Sequence, residues 1–197
     1  REYSLSCTKE ITDYLDTLSP GKILDFGCGL GWILSYLDEK WDKHGLEVSQ
    51  FASSHAGKFG KIFNGFFESY DEKNFDVIIM NHVIEHVPDP IKTIKKVKKI
   101  LNKDGVLIIA TPDFDSAAAR RYGSKFRLLH DPTHISLFTL DSMHRFLRDH
   151  DFFISKVEMP YFDTPWFNKE NILKILDTKN ISPPFYGSFM TFFCYNK

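Results

Sequence analysis

Three groups of residues in this chain have the types and spacing that chemistry requires. The first is Leu24-Asp25-Phe26-Gly27-Cys28-Gly29-Leu30-Gly31, a short apolar run that breaks into glycines at alternate positions. Glycine lets a backbone take positive φ and approach a ligand closely, which suits such a turn to carrying a cofactor. Glu47 follows Gly27 by 20 residues, the distance at which a carboxylate ending the next strand can accept both hydroxyls of a ribose. The second group is histidine: His82, His86, His130 and His134 are the four of the eight expected in loops beside that turn. Imidazole titrates near neutral pH and is the natural base for an oxygen or nitrogen nucleophile. His82, Glu85 and His86 stand at i, i+3 and i+4, so one helical turn places all three on a single face. The third group is basic, Arg120, Arg121, Lys125 and Arg127, suited either to a phosphate or carboxylate or to a plain charged helix exterior.

These residues need elements to hold them. Residues 8–18 place Ile11, Tyr14, Leu15 and Leu18 on one helical face, ended by Ser19-Pro20-Gly21. Short apolar runs at 22–26, 44–49, 61–63, 75–80 and 106–110 read as strands, with further strands at 152–157 and 191–195. Helices are expected at 31–37, 49–58, 90–101 and 139–149, and Asn102-Lys103-Asp104-Gly105 reads as the stop after the third of these. The lysines at 92–99 lie opposite that helix's apolar face and read as its solvated flank. Strands alternating with helices indicate an α/β protein with a mostly parallel sheet, whose C-terminal edge is the expected ligand crevice. The remaining histidines, His44, His55, His144 and His150, are expected at the surface or at helix ends.

Composition narrows the classes of function. At 197 residues, 43% hydrophobic and 26% charged, the chain fits one globular domain spanning 1–197. A net charge of −1 lacks the basic excess that nucleic-acid binding requires, and no apolar run nears the roughly 20 residues of a membrane span. Three cysteines without a CxxC pair argue against a disulfide framework or a cysteine zinc site, and Cys28 between two glycines is explained by the tight turn. The polar start has no secretory h-region, so a cytoplasmic setting is expected, and without an initiator Met further residues are expected before Arg1. The aromatic content of 15% suits either a core or a pocket.

Asp25 inside a strand that runs into Gly-Cys-Gly-Leu-Gly closely resembles motif I of the class I S-adenosylmethionine-dependent methyltransferases. Dinucleotide enzymes share the geometry but usually carry GxGxxG. The resemblance continues through FDVIIM (75–80) with NHVIEHVPDP (81–90), and through LNKDGVLIIATP (101–112). The stretch 111–139 and the closing SPPFYGSFM (182–190) are similar to a subgroup of small bacterial methyltransferases that includes enzymes of ubiquinone and polysaccharide pathways. The likeness covers roughly residues 10–195.

That resemblance implies a Rossmann-like α/β fold, a seven-stranded, mostly parallel sheet with flanking helices. It also implies methyl transfer from S-adenosylmethionine to an oxygen or nitrogen of a small-molecule acceptor, with S-adenosylhomocysteine released. Gly27, Cys28 and Gly29 would run beneath the methionine part of the cofactor, with Asp25 near its ammonium. Glu47 would bind the ribose, Val48 would pack on adenine, and Asn81 and His82 would lie beside the methionine moiety. Phe66 stands where relatives often carry an acid facing the adenine amino group, so stacking on Phe66 or a shifted Glu68 is expected to replace it. Some methyltransferases hold a metal at an ExxEH string. Here His82 replaces the first acid, His130 or His134 is the residue placed to complete such a shell, and no metal is assigned. His82, His86, His130 and His134 are the candidate catalytic residues. The segments 113–138 and 160–187 are expected to form the acceptor pocket or lid, with Phe114, Tyr122, Phe126, Tyr161, Phe162, Trp166, Phe167, Phe185 and Tyr186 among its aromatics. A nicotinamide-dependent oxidoreductase and a non-catalytic S-adenosylmethionine-binding scaffold are the rival readings.

Overall fold

The apolar runs at 22–26, 75–81 and 106–112 become strands buried on both faces, which leaves no polar alternation to read, whereas those at 61–64 and 152–158 lie at the sheet's edges and stay partly exposed. In the computed structural model, which describes residues 7–160, Glu170, Lys179 and 188–197, seven strands form a single sheet. They are β1 (Lys22–Phe26), β2 (Asp42–Glu47), β3 (Lys61–Asn64), β4 (Phe75–Asn81), β5 (Leu101–Pro112), β6 (Phe152–Glu158) and β7 (Phe189–Asn196). Their order across the sheet is β3-β2-β1-β4-β5-β7-β6. The pairings are parallel from β3 to β5, and β7 runs antiparallel between β5 and β6.

Side chains of a strand alternate between faces, so neighbouring residues serve different layers. Ile78, Met80, Leu107, Ile109 and Phe192 join one apolar cluster, while Val77, Ile79, Ile108 and Phe193 join the other. Helices cover both layers. Helix α1 (Lys9–Leu15) contributes Ile11 and Leu15, and α2 (Trp32–Tyr36) follows the glycine turn. Helix α3 (Gln50–Ala56) starts at Ser49, whose side chain accepts from Ala52 N–H at 3.3 Å. Helix α4 (Pro90–Ile100) is capped by Asp89, which accepts from Lys92 N–H at 2.9 Å, and buries Ile94, Val97 and Ile100. Helix α5 (Ala117–Tyr122) is short, and α6 (Leu140–Asp149) opens on a reciprocal Thr139–Ser142 capping box.

Two local expectations change. Asn102–Gly105 does not separate helix from strand. It forms an irregular excursion within β5, where Leu101 pairs Phe75 and Val106 pairs Val77, with Asp104 at φ +60°. His44 is buried instead of lying at the surface, its ring edge-on to Phe75 with centroids 5.4 Å apart. The aromatics at 161, 162, 166, 167, 185 and 186, with most of the expected segment 160–187, lie outside the described residues.

Candidate active site

Backbone hydrogen bonds hold the glycine turn. Gly27 N–H and Cys28 N–H both donate to Leu46 O, at 2.8 and 3.1 Å, and Gly31 N–H closes the turn onto Cys28 O at 2.8 Å. Gly27 has φ +75° and a Cβ there would come within 2.6 Å of Val83, so both its conformation and its space exclude a side chain. Gly29 has φ +51°, and a Cβ there would meet nothing within 4 Å. Its outer face is open space.

That space belongs to a pocket of about 440 Å³ at the C-terminal ends of β1 and β4. Asp25, Gly27, Cys28 and Gly29 line it from the turn, and Asn81 and His82 from the end of β4. Asp25 is 2% exposed and has no hydrogen-bond partner among the described residues. Burial, with the charge of Glu47 nearby, raises its pKa to about 7. Burial and the same two carboxylates push the Cys28 thiol well above its ordinary range, so it stays protonated and unreactive.

Glu47, Val48 and Phe66 lie next to this pocket's turn without lining the pocket itself. The Glu47 carboxylate is held at both ends: Oε2 accepts from Gly29 N–H at 2.9 Å and Oε1 from Ser49 N–H at 2.7 Å. Asn64 Nδ2 donates to the carbonyls of Glu47 and Val48 at 2.8 and 3.2 Å, fixing the strand end. Val48 and Phe66 are 57% and 70% exposed, an unusual state for apolar side chains that flank a bound carboxylate.

The four histidines follow the ends of β4 and β5, but only His82 lines the pocket. It has φ +55°, a left-handed conformation uncommon for a residue other than glycine, and its N–H donates to Ala110 O at 2.9 Å. Its Nδ1 lies 3.2 Å from Oε1 of Glu85, and the other oxygen of Glu85 accepts from Thr111 Oγ1 at 3.0 Å. With Nδ1 turned to this carboxylate, Nε2 is the ring nitrogen left without a protein partner among the described residues. Glu85 is fully buried, and its carbonyl also accepts from Ile135 and Ser136 N–H. The sequence groups Glu85 with both His82 and His86 on one helical face; the structure bonds its side chain to His82, while His86 Nδ1 turns to Thr133 O.

His86 and His134 sit with ring centroids 4.9 Å apart, donating through Nδ1 to Thr133 O and Leu128 O at 3.0 and 2.7 Å. Atoms of Glu85, His86 and His134 with metal-ligating chemistry come within 4.8 Å of one another. Both oxygens of Glu85 and Nδ1 of each ring have protein partners, and these contacts tie three loops together. His130 is exposed at the end of a tight turn, Arg127–His130. Arg127, Trp32 and the residues Cys7, Thr8, Leu30, Ile33 and Phe189 complete the pocket wall. Cys7, Thr8 and Phe189 had no local signal: they reach the pocket through the packing of α1 and the return of β7.

Known proteins share this fold and part of this sequence. A family model described as a methyltransferase domain matches residues 1–157. Phosphoethanolamine N-methyltransferase of Triticum aestivum is 34% identical over 120 residues, covering 54% of this chain and 23% of that protein. A ubiquinone biosynthesis O-methyltransferase of Actinobacillus pleuropneumoniae is 32% identical over 122 residues, 50% of each. The chain thus spans half or less of the length of these curated relatives. The crystal structure of a SAM dependent methyltransferase from Archaeoglobus fulgidus superimposes with a TM-score of 0.72 at 16% identity, over 98% of this chain and 93% of that one. With the fold, the glycine turn and the family match in agreement, the chain belongs to the methyltransferase-domain family.

Proposed function

We propose that the chain binds S-adenosylmethionine across the glycine turn and directs its methyl group to an oxygen or nitrogen of a small-molecule acceptor. The observation that carries this reading is Asp25, a buried carboxylate with no hydrogen-bond partner among the described residues, beside the open face of Gly29. A buried charge is costly unless paired, and the cofactor's ammonium is the partner this site fits. Gly27, Cys28 and Gly29 hold the methionine part along their backbone, with Asn81 and His82 beside it. Glu47 keeps a second lone pair on each oxygen for the ribose hydroxyls, since its two amide bonds use one apiece. Val48 and Phe66 offer their exposed apolar surface to adenine, in place of an acid at that position.

When bound, the cofactor supplies an electrophilic methyl on a sulfonium and departs as the neutral thioether. In-line displacement of this kind gains most from alignment and exclusion of water. His82 takes the acceptor's proton through Nε2, with its Nδ1 turned to Glu85. His86 and His134 shape the acceptor side by anchoring its loops, and His130 meets the acceptor from the exposed end of its turn. The relatives named as an N- and an O-methyltransferase support keeping both amines and hydroxyls as acceptors.

Calorimetry with S-adenosylhomocysteine, NADH and NADPH tests the cofactor. Micromolar binding of the first alone is expected. Binding of NADH without S-adenosylhomocysteine would overturn the proposal in favour of an oxidoreductase.

A further inference from the structure

We propose that Arg127 forms an oxyanion subsite, so that the acceptor carries a compact anionic group, a carboxylate or a phosphate monoester, in addition to the atom that is methylated. This rests on the methyltransferase reading of the pocket and names the class of acceptor it takes. Arg127 lines the pocket together with Asn81, His82 and Phe189. Among the described residues its guanidinium has neither an ion pair nor a hydrogen bond. Lys22 pairs with Glu72 at 2.7 Å and Lys61 with Asp42 at 2.8 Å, and exposed lysines such as Lys58 and Lys103 face solvent, whereas among the described residues Arg127 is the one lysine or arginine that lines the pocket.

The backbone that carries this exposed arginine is held in place. Its neighbours Phe126 and Leu128 are buried, with the Phe126 ring 6.3 Å from that of Phe114. The carbonyl of Leu128 accepts from His134 Nδ1 at 2.7 Å, and Leu129 N–H donates to Phe126 O at 3.0 Å. A side chain between two buried anchors on a hydrogen-bonded turn has a fixed origin, which lowers the entropy lost when its head binds a ligand. Guanidinium presents a planar fork that matches carboxylate and phosphate oxygens in pairs. With a net charge of −1 the molecule has no general positive field, so the recognition is local to this pocket.

Position assigns the anion to the acceptor. The glycine turn, Asp25 and Glu47 belong to β1 and β2, whereas Arg127 comes from the turn between α5 and α6 on the far side of β5. The pocket therefore receives opposite charges from two different elements, Asp25 from the cofactor half and Arg127 from the segment after β5. Phe189, whose ring meets His82 edge-on at 5.1 Å, gives the space between them an apolar wall.

The experiment titrates inorganic phosphate and benzoate, separately, into the protein saturated with S-adenosylhomocysteine, using wild type, Arg127→Gln and the exposed control Lys103→Gln, which lies outside the pocket. Wild type and the control are expected to bind at least one anion at millimolar concentration, and Arg127→Gln at least tenfold more weakly. All three should bind S-adenosylhomocysteine within twofold of one another. Phosphate alone would identify a phosphate monoester and benzoate alone a carboxylate. Binding of neither anion by the loaded wild type, or equal binding by Arg127→Gln, overturns the subsite. A parallel fall in S-adenosylhomocysteine affinity overturns it too, because the guanidinium would then serve the cofactor's own carboxylate. Failure of the wild type to bind S-adenosylhomocysteine instead overturns the underlying reading, and the subsite with it.

Discussion

A carboxylic acid poised near neutrality responds to whatever charge is placed beside it, and Asp25 is such a group. Its pKa of about 7 in the fold, against an ordinary 3.8, means that the folded protein holds a proton that the unfolded chain releases between those two values. Stability from this group is therefore lost as pH rises from about 4 to about 7, with a ceiling of about 4 kcal/mol. Asp25→Asn should raise the melting temperature of the ligand-free protein, more at pH 8 than at pH 5, and thermal melts at the two pH values check it. The same substitution should weaken S-adenosylhomocysteine binding. A bound ammonium favours the ionised acid, so wild-type affinity should fall as pH drops below about 7, and that dependence should vanish in Asp25→Asn. At Gly29 the geometry separates binding from folding. Gly29→Arg fills the open face of the turn and should abolish S-adenosylhomocysteine binding in calorimetry. The φ of +51° costs a non-glycine residue roughly 1–2 kcal/mol, leaving a protein that still melts cooperatively.

Among elements, the junction of β4, β5 and the loop at 131–136 turns on one buried acid. Glu85 takes bonds from His82, Thr111, Ile135 and Ser136, so it sets the imidazole and the loop at 131–136 together. Thr111→Val removes the hydroxyl that satisfies one oxygen of Glu85 and should cost about 1–3 kcal/mol in chemical denaturation. With an accepted substrate it should also lower kcat while leaving S-adenosylhomocysteine affinity unchanged. This level also divides what was legible in the sequence from what was not. The strands could be read because each is a brief apolar run between glycine or polar breaks, and Asp25 to Gly29 could be read because one turn carries them all. Asn81 and His82 follow directly from the end of β4. Asn102–Gly105 misled because Asp-Gly chemistry suits a turn whether or not strand pairing resumes beyond it, as it does at Val106. His44 misled because the pattern of a short strand does not say which of its polar residues faces a layer of helices. Phe189 could not be found locally, since the pairing of β7 with β5 alone sets it opposite Pro112.

For the whole molecule, ligand binding and stability are one equilibrium. At a hundredfold excess over its Kd, S-adenosylhomocysteine should add about 2.7 kcal/mol to the folded state, worth roughly 5–10 °C in melting temperature for a domain of this size. Gly29→Arg should show no such gain in the same melts. The sheet order carries a separate consequence. β7 follows β6 in the chain, yet it lies between β5 and β6 and buries Phe192 and Phe193. A growing chain that has made β1 to β6 but not β7 therefore leaves one edge of β5 unpaired and β6 without a strand partner among the described residues. Neither can pair productively until residues 189–196 leave the ribosome and slide into the gap. Unpaired edges recruit other strands, so this interval is when the polypeptide is most open to aggregation and most in need of a chaperone. Closure then depends on pairing across some 80 residues, a contact that forms slowly because loop-closure entropy precedes its reward.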